Sequence, residues 1–161
     1  MDNIKVISRA RIAIENELKR FPDKETGGLL LGYSNIPNEV LIVEATDSGY
    51  KDTIHYDTYF KYDYAYEEHI CNFLSGLYNP NLQVLGVWHK HNSFNKLNEN
   101  PFSYSDEKIH EQILINSDIC ISILFEKEYT NEDYIQYNMR TYLIYKDRKK
   151  QRDVTDRIIW N

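Results

Sequence analysis

The chain has 161 residues, of which 42% are apolar and 27% charged, an ordinary globular usage that excludes a fibrous repeat, a membrane bundle and a disordered tail. That length suits a single domain, residues 1–161, able to bury roughly 70% of the surface its unfolded form exposes. The net charge of -6 argues against a nucleic-acid partner, because phosphate contacts need clustered Lys and Arg. The dense basic run from Arg148 to Arg152 lies among acidic neighbours near the C-terminus and reads as a solvated face.

Ser8, followed by Ile12, Ile14 and Leu18 and closed by Phe21-Pro22, predicts an amphipathic helix with Ser8 as its N-cap. Leu29 to Tyr33 and Val40 to Ala45, separated by a turn at Pro37-Asn38, predict two paired strands. From Tyr59 to Leu77 apolar and aromatic residues recur at spacings of three and four, and Asn79-Pro80 ends the run, which predicts a second helix. Leu82 to Trp88 reads as a buried strand that delivers His89-Lys90-His91 at its end. A polar loop from Asn92 to Pro101 leads to a third helix opening at Ser105-Asp106-Glu107, with Ile109, Ile113 and Leu114 on one face. Ile119 to Phe125 and Tyr134 to Tyr145 are further strands. The order implies an α/β or α+β layered domain, a central sheet flanked by helices.

Cys71 and Cys120 lack CxxC spacing and sit in apolar surroundings, so both read as buried free thiols suited to a reducing compartment. No export signal follows Met1, and the longest apolar stretch, Ile119 to Phe125, is too short to span a bilayer. The expectation is a cytoplasmic protein with no membrane partner.

Two histidines at i and i+2 on a strand point the same way, because strand side chains alternate with period two. His89 and His91 can therefore grip one metal ion. Asp106, at a downstream helix start, is a third candidate donor, and two imidazoles with one carboxylate leave an open position on Zn²⁺, the ligand count of hydrolytic zinc. His110, one helical turn past Asp106, either touches the site or is a surface helix histidine, and His55 and His69 read as structural or exposed. Tyr56, Tyr59, Tyr62, Tyr64 and Tyr66 either line a groove for an extended peptide or divide between core and surface.

Glu25 to Gly32, then Gly86 to His91, then Ser103-Tyr104-Ser105-Asp106 together resemble the JAB/MPN (JAMM) metalloprotease signature, a Glu before a Gly-rich strand, then His-x-His, then Ser-x-x-Asp. The resemblance implies an MPN-like central mixed sheet, zinc held by His89, His91 and Asp106, and Glu25 as the acid/base group for the attacking water. It also implies Ser103 as donor to the carbonyl oxygen under attack, although either Ser103 or Ser105 could cap the helix. Lys90 and Asn92 depart from the family's usual Ser and Pro, and the stretch between His91 and Ser103 is longer than its commonest spacing.

The activity implied is a zinc isopeptidase or peptidase that cuts the amide bond after the extended C-terminal tail of a ubiquitin-like or otherwise conjugated protein. Small stand-alone members of this kind resemble the deconjugating proteases of bacterial ubiquitination-like and antiphage signalling operons. A non-catalytic MPN-type scaffold is the alternative. A nearby sheet edge is expected to receive the tail by strand addition.

Overall fold

The computed structural model describes residues 3–36, 38–78, 81–92, 100–131, 134–147 and 151–161. Pro37, Asn79-Pro80, the centre of the polar loop with Lys96 and Asn98, and the start of the basic run lie outside the described residues. Among the described residues, ten strands and three α-helices run in the order β1 (Asn3–Val6), α1 (Ser8–Arg20), β2 (Thr26–Ile36), β3 (Glu39–Ala45), β4 (Ile54–His55), β5 (Phe60–Lys61), α2 (Tyr64–Leu77), β6 (Gln83–His91), α3 (Tyr104–Ile115), β7 (Ile119–Asn131), β8 (Tyr134–Tyr145), β9 (Gln151–Asp153) and β10 (Ile158–Trp160). Eight strands form one mixed sheet in the order β10-β1-β3-β2-β6-β7-β8-β9, and β4 with β5 forms a separate small hairpin.

Helices cover both faces of this sheet, because consecutive strand residues bury alternately on either side. Leu30 and Ile42 join Ala10, Ile14 and Leu18 of α1 in one apolar cluster, whereas Leu31 and Val43 join Leu74 of α2 in another. α3 is the crossover between the parallel strands β6 and β7 and packs on both of them.

Several boundaries differ from those predicted. Ser8 is the first helical residue and not the cap; Ile7 takes that place, while the Ser8 hydroxyl donates to the Asn161 carbonyl at 3.0 Å and ties α1 to the far end of the chain. The second helix starts at Tyr64, because the Asp63 carboxylate accepts the Tyr66 N–H at 3.1 Å as N-cap and Phe60-Lys61 is already a strand. Of the elements not foreseen, β1 and β10 are short and pair in parallel with each other, and β1 also pairs with β3, so they exist through non-local hydrogen bonds. Cys71 and Cys120 are free thiols, as expected, but only Cys120 is buried and Cys71 is half-buried. No helix among the described residues is long and apolar enough to cross a membrane.

Between β6 and β2 the register shifts: Leu30 faces Gly86 but Leu31 faces Val84, leaving Leu85 as an extra residue. This bulge changes the phase of the strand. Leu85 and Trp88 therefore share the α1-side cluster.

Glu67 on α2 is buried, accepts the Thr46 hydroxyl at 2.9 Å, and lines a cavity of about 440 Å³ with Leu29, Tyr62, Ile109 and Ile113. Burial raises its pKa to about 8, with Asp47 and Asp63 adding to the effect against the Thr46 hydrogen bond. A raised folded pKa contributes stability that is present below the unfolded value near 4.5 and lost as pH rises through about 8. Replacement by Gln keeps an acceptor for Thr46 and removes the titration. Across pH 5 to 9, calorimetry is expected to show wild type losing roughly 10 °C in Tm more than Glu67→Gln; parallel curves would refute this.

Candidate metal centre

Strand β6 carries His89, Lys90 and His91 at its C-terminal end, flanked by β2 on one side and β7 on the other. His89 pairs with Gly27 and Lys90 with Thr26. Cross-strand partners share a face. His89, His91 and Gly27 thus project to one side, and Lys90 and Thr26 to the α1 side, where the Thr26 hydroxyl donates to Glu17 at 3.0 Å.

The glycine beside His89 is required by space. A Cβ on Gly27 would stand 2.5 Å from the Trp88 carbonyl oxygen, 2.7 Å from the Phe60 ring and 2.9 Å from the His89 Cβ.

Asp106 enters from α3. Ser103 is the N-cap of that helix: its Oγ accepts the Asp106 N–H at 3.3 Å, and Asp106 Oδ2 accepts the Ser103 N–H at 2.7 Å, a reciprocal capping box. Ser105, the other candidate cap, lies within the helix. With its rotamer held by the cap, Asp106 sets Oδ1 3.6 Å from His89 Nε2 and Oδ2 3.5 Å from His91 Nε2. One ligand atom from each of the three residues lies within 4.8 Å of the others. Among the described residues His89 Nε2 is buried with no hydrogen-bond partner, a costly state that an ion would relieve. Tetrahedral coordination at about 2.0–2.1 Å spaces ligand atoms about 3.3 Å apart, close to both His–Asp separations. The three side chains form a group that could hold a metal ion.

The electrostatics favour the ligating protonation state at His89 and Asp106 and oppose it at His91. Burial lowers the His89 pKa to about 3, outweighing the attraction of Asp106, so the imidazole is neutral and its lone pair available. Burial opposes ionisation of Asp106, but the His91 imidazole beside it and the Ser103 N–H hold its carboxyl well below the usual range. His91 is raised: Asp106, Glu25 and Glu126 outweigh the burial that opposes its charge. A metal ion at His91 would compete with a proton, and its binding would strengthen as pH rises.

Glu25 immediately precedes β2, two residues before Gly27. Burial raises its pKa to about 7, partly offset by His91 and Lys90 and reinforced by Asp106. A carboxyl so placed can both take and return a proton near neutral pH. Its backbone is held at both ends: Glu25 N–H donates to the Tyr56 carbonyl at 2.8 Å, and the Glu25 carbonyl lies 2.8 Å from His55 Nδ1.

Of the other histidines, His55 and His69 meet the expectation of structural or exposed roles, and His110 departs from the surface reading. His110 is buried, not on the surface: its Nε2 lies 3.2 Å from the Ser122 hydroxyl, and its ring packs edge-on against Phe102, which in turn lies near His89. His69 is exposed. His55 proves to be a support for Glu25, with Phe21 stacked on its ring at 3.8 Å and Ser48 Oγ 3.1 Å from Nε2. The tyrosines divide: Tyr56, Tyr59 and Tyr64 are exposed and Tyr62 is buried. Strand addition beside the histidines is not available in the main sheet, since β6 already has neighbours on both sides and the free edges belong to β9 and β10.

No protein-family model matches the chain, and no curated protein matches it. Among solved structures it is similar to the solution structure of protein DSY2949 from Desulfitobacterium hafniense, with a TM-score of 0.62 and 14% identity over 98% of this chain and 92% of that one. At that identity the likeness extends to the fold alone.

Protein purified without chelator is expected to carry one divalent ion per chain by elemental analysis, and His89→Ala to carry roughly a tenth of that or less. Equal metal content in the variant would move the site elsewhere.

Proposed function

We propose that the chain is a zinc-dependent isopeptidase or peptidase of the JAMM type, acting on the amide bond after an extended protein tail. The observation that carries this reading is the convergence of a His-His-Asp donor set with a glutamate of near-neutral pKa, the four residues that the resemblance to the JAMM signature singles out. Two neutral or neutralisable imidazoles and a carboxylate fit zinc. When bound there, the ion would polarise the scissile carbonyl and lower the pKa of a water molecule.

The protein's own residues then have separate tasks. His89, His91 and Asp106 hold the ion, with Asp106 oriented by the Ser103 N–H. Glu25 removes a proton from the attacking water and passes it to the leaving amine, so that neither nitrogen anion nor free hydroxide has to form. Ser103 uses its oxygen as cap acceptor for Asp106 N–H, which leaves the hydroxyl proton for the negative charge developing on the substrate's carbonyl oxygen. Such a donor is worth roughly 10²- to 10³-fold in rate.

A tail of a ubiquitin-like protein, joined to a lysine amine or a following chain, is the substrate class that the resemblance favours, in a bacterial ubiquitination-like or antiphage defence setting. The exposed Tyr56 and Tyr59 border the β4–β5 hairpin, whose Tyr56 carbonyl holds the Glu25 N–H, and supply aromatic surface for an extended chain.

The test uses a fusion of a ubiquitin-like C-terminal tail to a second folded protein, with denatured casein alongside. Cleavage at the junction alone, abolished by chelation and restored by zinc, is the expected result; casein digestion at a comparable rate would leave a general metalloprotease. Glu25→Gln is expected to retain metal and KM while kcat falls roughly 10²- to 10⁴-fold. Wild-type turnover in that variant would remove Glu25 from the mechanism.

A further inference from the structure

Lys90 lies between the two histidines and is fully buried. Burying an ammonium is expensive unless oxygens surround it, and the oxygens that Lys90 finds belong to the segment leading into Glu25. Its Nζ donates to the carbonyls of Phe21 and, at 3.1 Å, Pro22. Lys127 of β7, also buried, donates to the Pro22 carbonyl at 3.1 Å and to the Asp23 carboxylate at 2.7 Å. Asn92, immediately after β6, donates from Nδ2 to the Asp23 carbonyl at 2.9 Å and to Asp57 at 2.8 Å.

Three successive carbonyls, those of Phe21, Pro22 and Asp23, are thus taken by side chains of β6, β7 and the residue following β6. We propose that Lys90, assisted by Lys127 and Asn92, is a positioning residue that fixes the segment 21–25 against β6 and thereby sets Glu25 relative to His89 and His91. The assignment rests on the proton-transfer role proposed above for Glu25.

The geometry gives this clamp a purpose beyond filling space. Strand alternation sends the His89 and His91 side chains to one face and Lys90 to the other, so one rigid strand holds the metal ligands and the glutamate-bearing segment together. The segment leaves α1 on the Lys90 side and reaches the histidine side at Glu25. A shift of the segment changes the distance from Glu25 to the histidines without disturbing the ligands themselves. Misplacement of a reacting group by about 1 Å can cost roughly 100-fold in rate.

The test compares Lys90→Met, which keeps an unbranched apolar stem but removes the donor, with Glu25→Gln and the double variant. Three quantities are read on each: zinc content, steady-state cleavage of the tail fusion, and amide hydrogen exchange of residues 21–26 by mass spectrometry. Lys90→Met is expected to keep stoichiometric zinc and a KM within about 2-fold of wild type, while kcat falls roughly 10- to 100-fold. Exchange across residues 21–26 should quicken by roughly 10-fold or more. In the Glu25→Gln background the same change should cost less than about 2-fold, because Lys90 acts through Glu25.

Unchanged exchange in Lys90→Met, or full additivity in the double variant, would overturn the proposal. Loss of zinc with loss of turnover would overturn it too, by making Lys90 a support of the ligands. The failure of the proton-transfer role itself has a different signature, wild-type turnover in Glu25→Gln, and faster exchange in Lys90→Met would then support the clamp without its catalytic consequence. If Lys90→Met does not fold, Lys127→Met removes two bonds of the same clamp and is judged by the same exchange and kcat criteria.

Discussion

Strand β6 brings three consecutive polar side chains, His89, Lys90 and His91, into the middle of an eight-stranded sheet, and the surroundings are arranged to satisfy them. Each would be costly if left alone. On one face the imidazoles meet Asp106, and on the other the ammonium meets backbone carbonyls from the end of α1. The strand has no free edge to turn towards water. Polar groups at such a position must be paired, and the pairing draws α1, β2, β7 and α3 towards one point.

On the histidine side, order comes from a chain of short-range constraints. Ser103 caps α3, the cap orients Asp106, and Asp106 meets both histidines. Gly27 leaves the volume that His89 occupies, and Phe60 closes against the same spot. These contacts hold the donor atoms near ligating separations in the protein itself. Little reorganisation is then demanded on binding, which is how rigid elements with supported side chains produce a usable site.

On the opposite side the order is long-range. The residues preceding Glu25 form no ladder through the Phe21, Pro22 and Asp23 carbonyls; those oxygens accept from side chains far away in sequence. His55 and Tyr56, from and beside the β4–β5 hairpin, hold the Glu25 backbone from another direction. The geometry of this segment is set by a handful of donors. Functional side chains are often carried on segments of this kind because the scaffold can place them without lengthening a strand.

Much of the arrangement was legible in the sequence, because it follows from spacing between near neighbours. Period-two alternation put His89 and His91 on one face, apolar runs marked β2, β3, β6, β7 and β8, and three-and-four spacing marked α1 and most of α2. Local patterns of this type depend on the chain's own geometry and survive in any fold that contains the element. A lysine inside a buried strand was itself a signal that carbonyl acceptors must lie nearby, although nothing local said whose. Tertiary structure decided the rest: the bulge at Leu85 that sets the phase of β6, the pairing of β1 and β10, the burial of His110 against Ser122, and the grip of Lys90 on a carbonyl 69 positions away. These depend on which distant segments come to lie side by side. That is settled by the joint packing of all elements, and no window of neighbouring residues contains it.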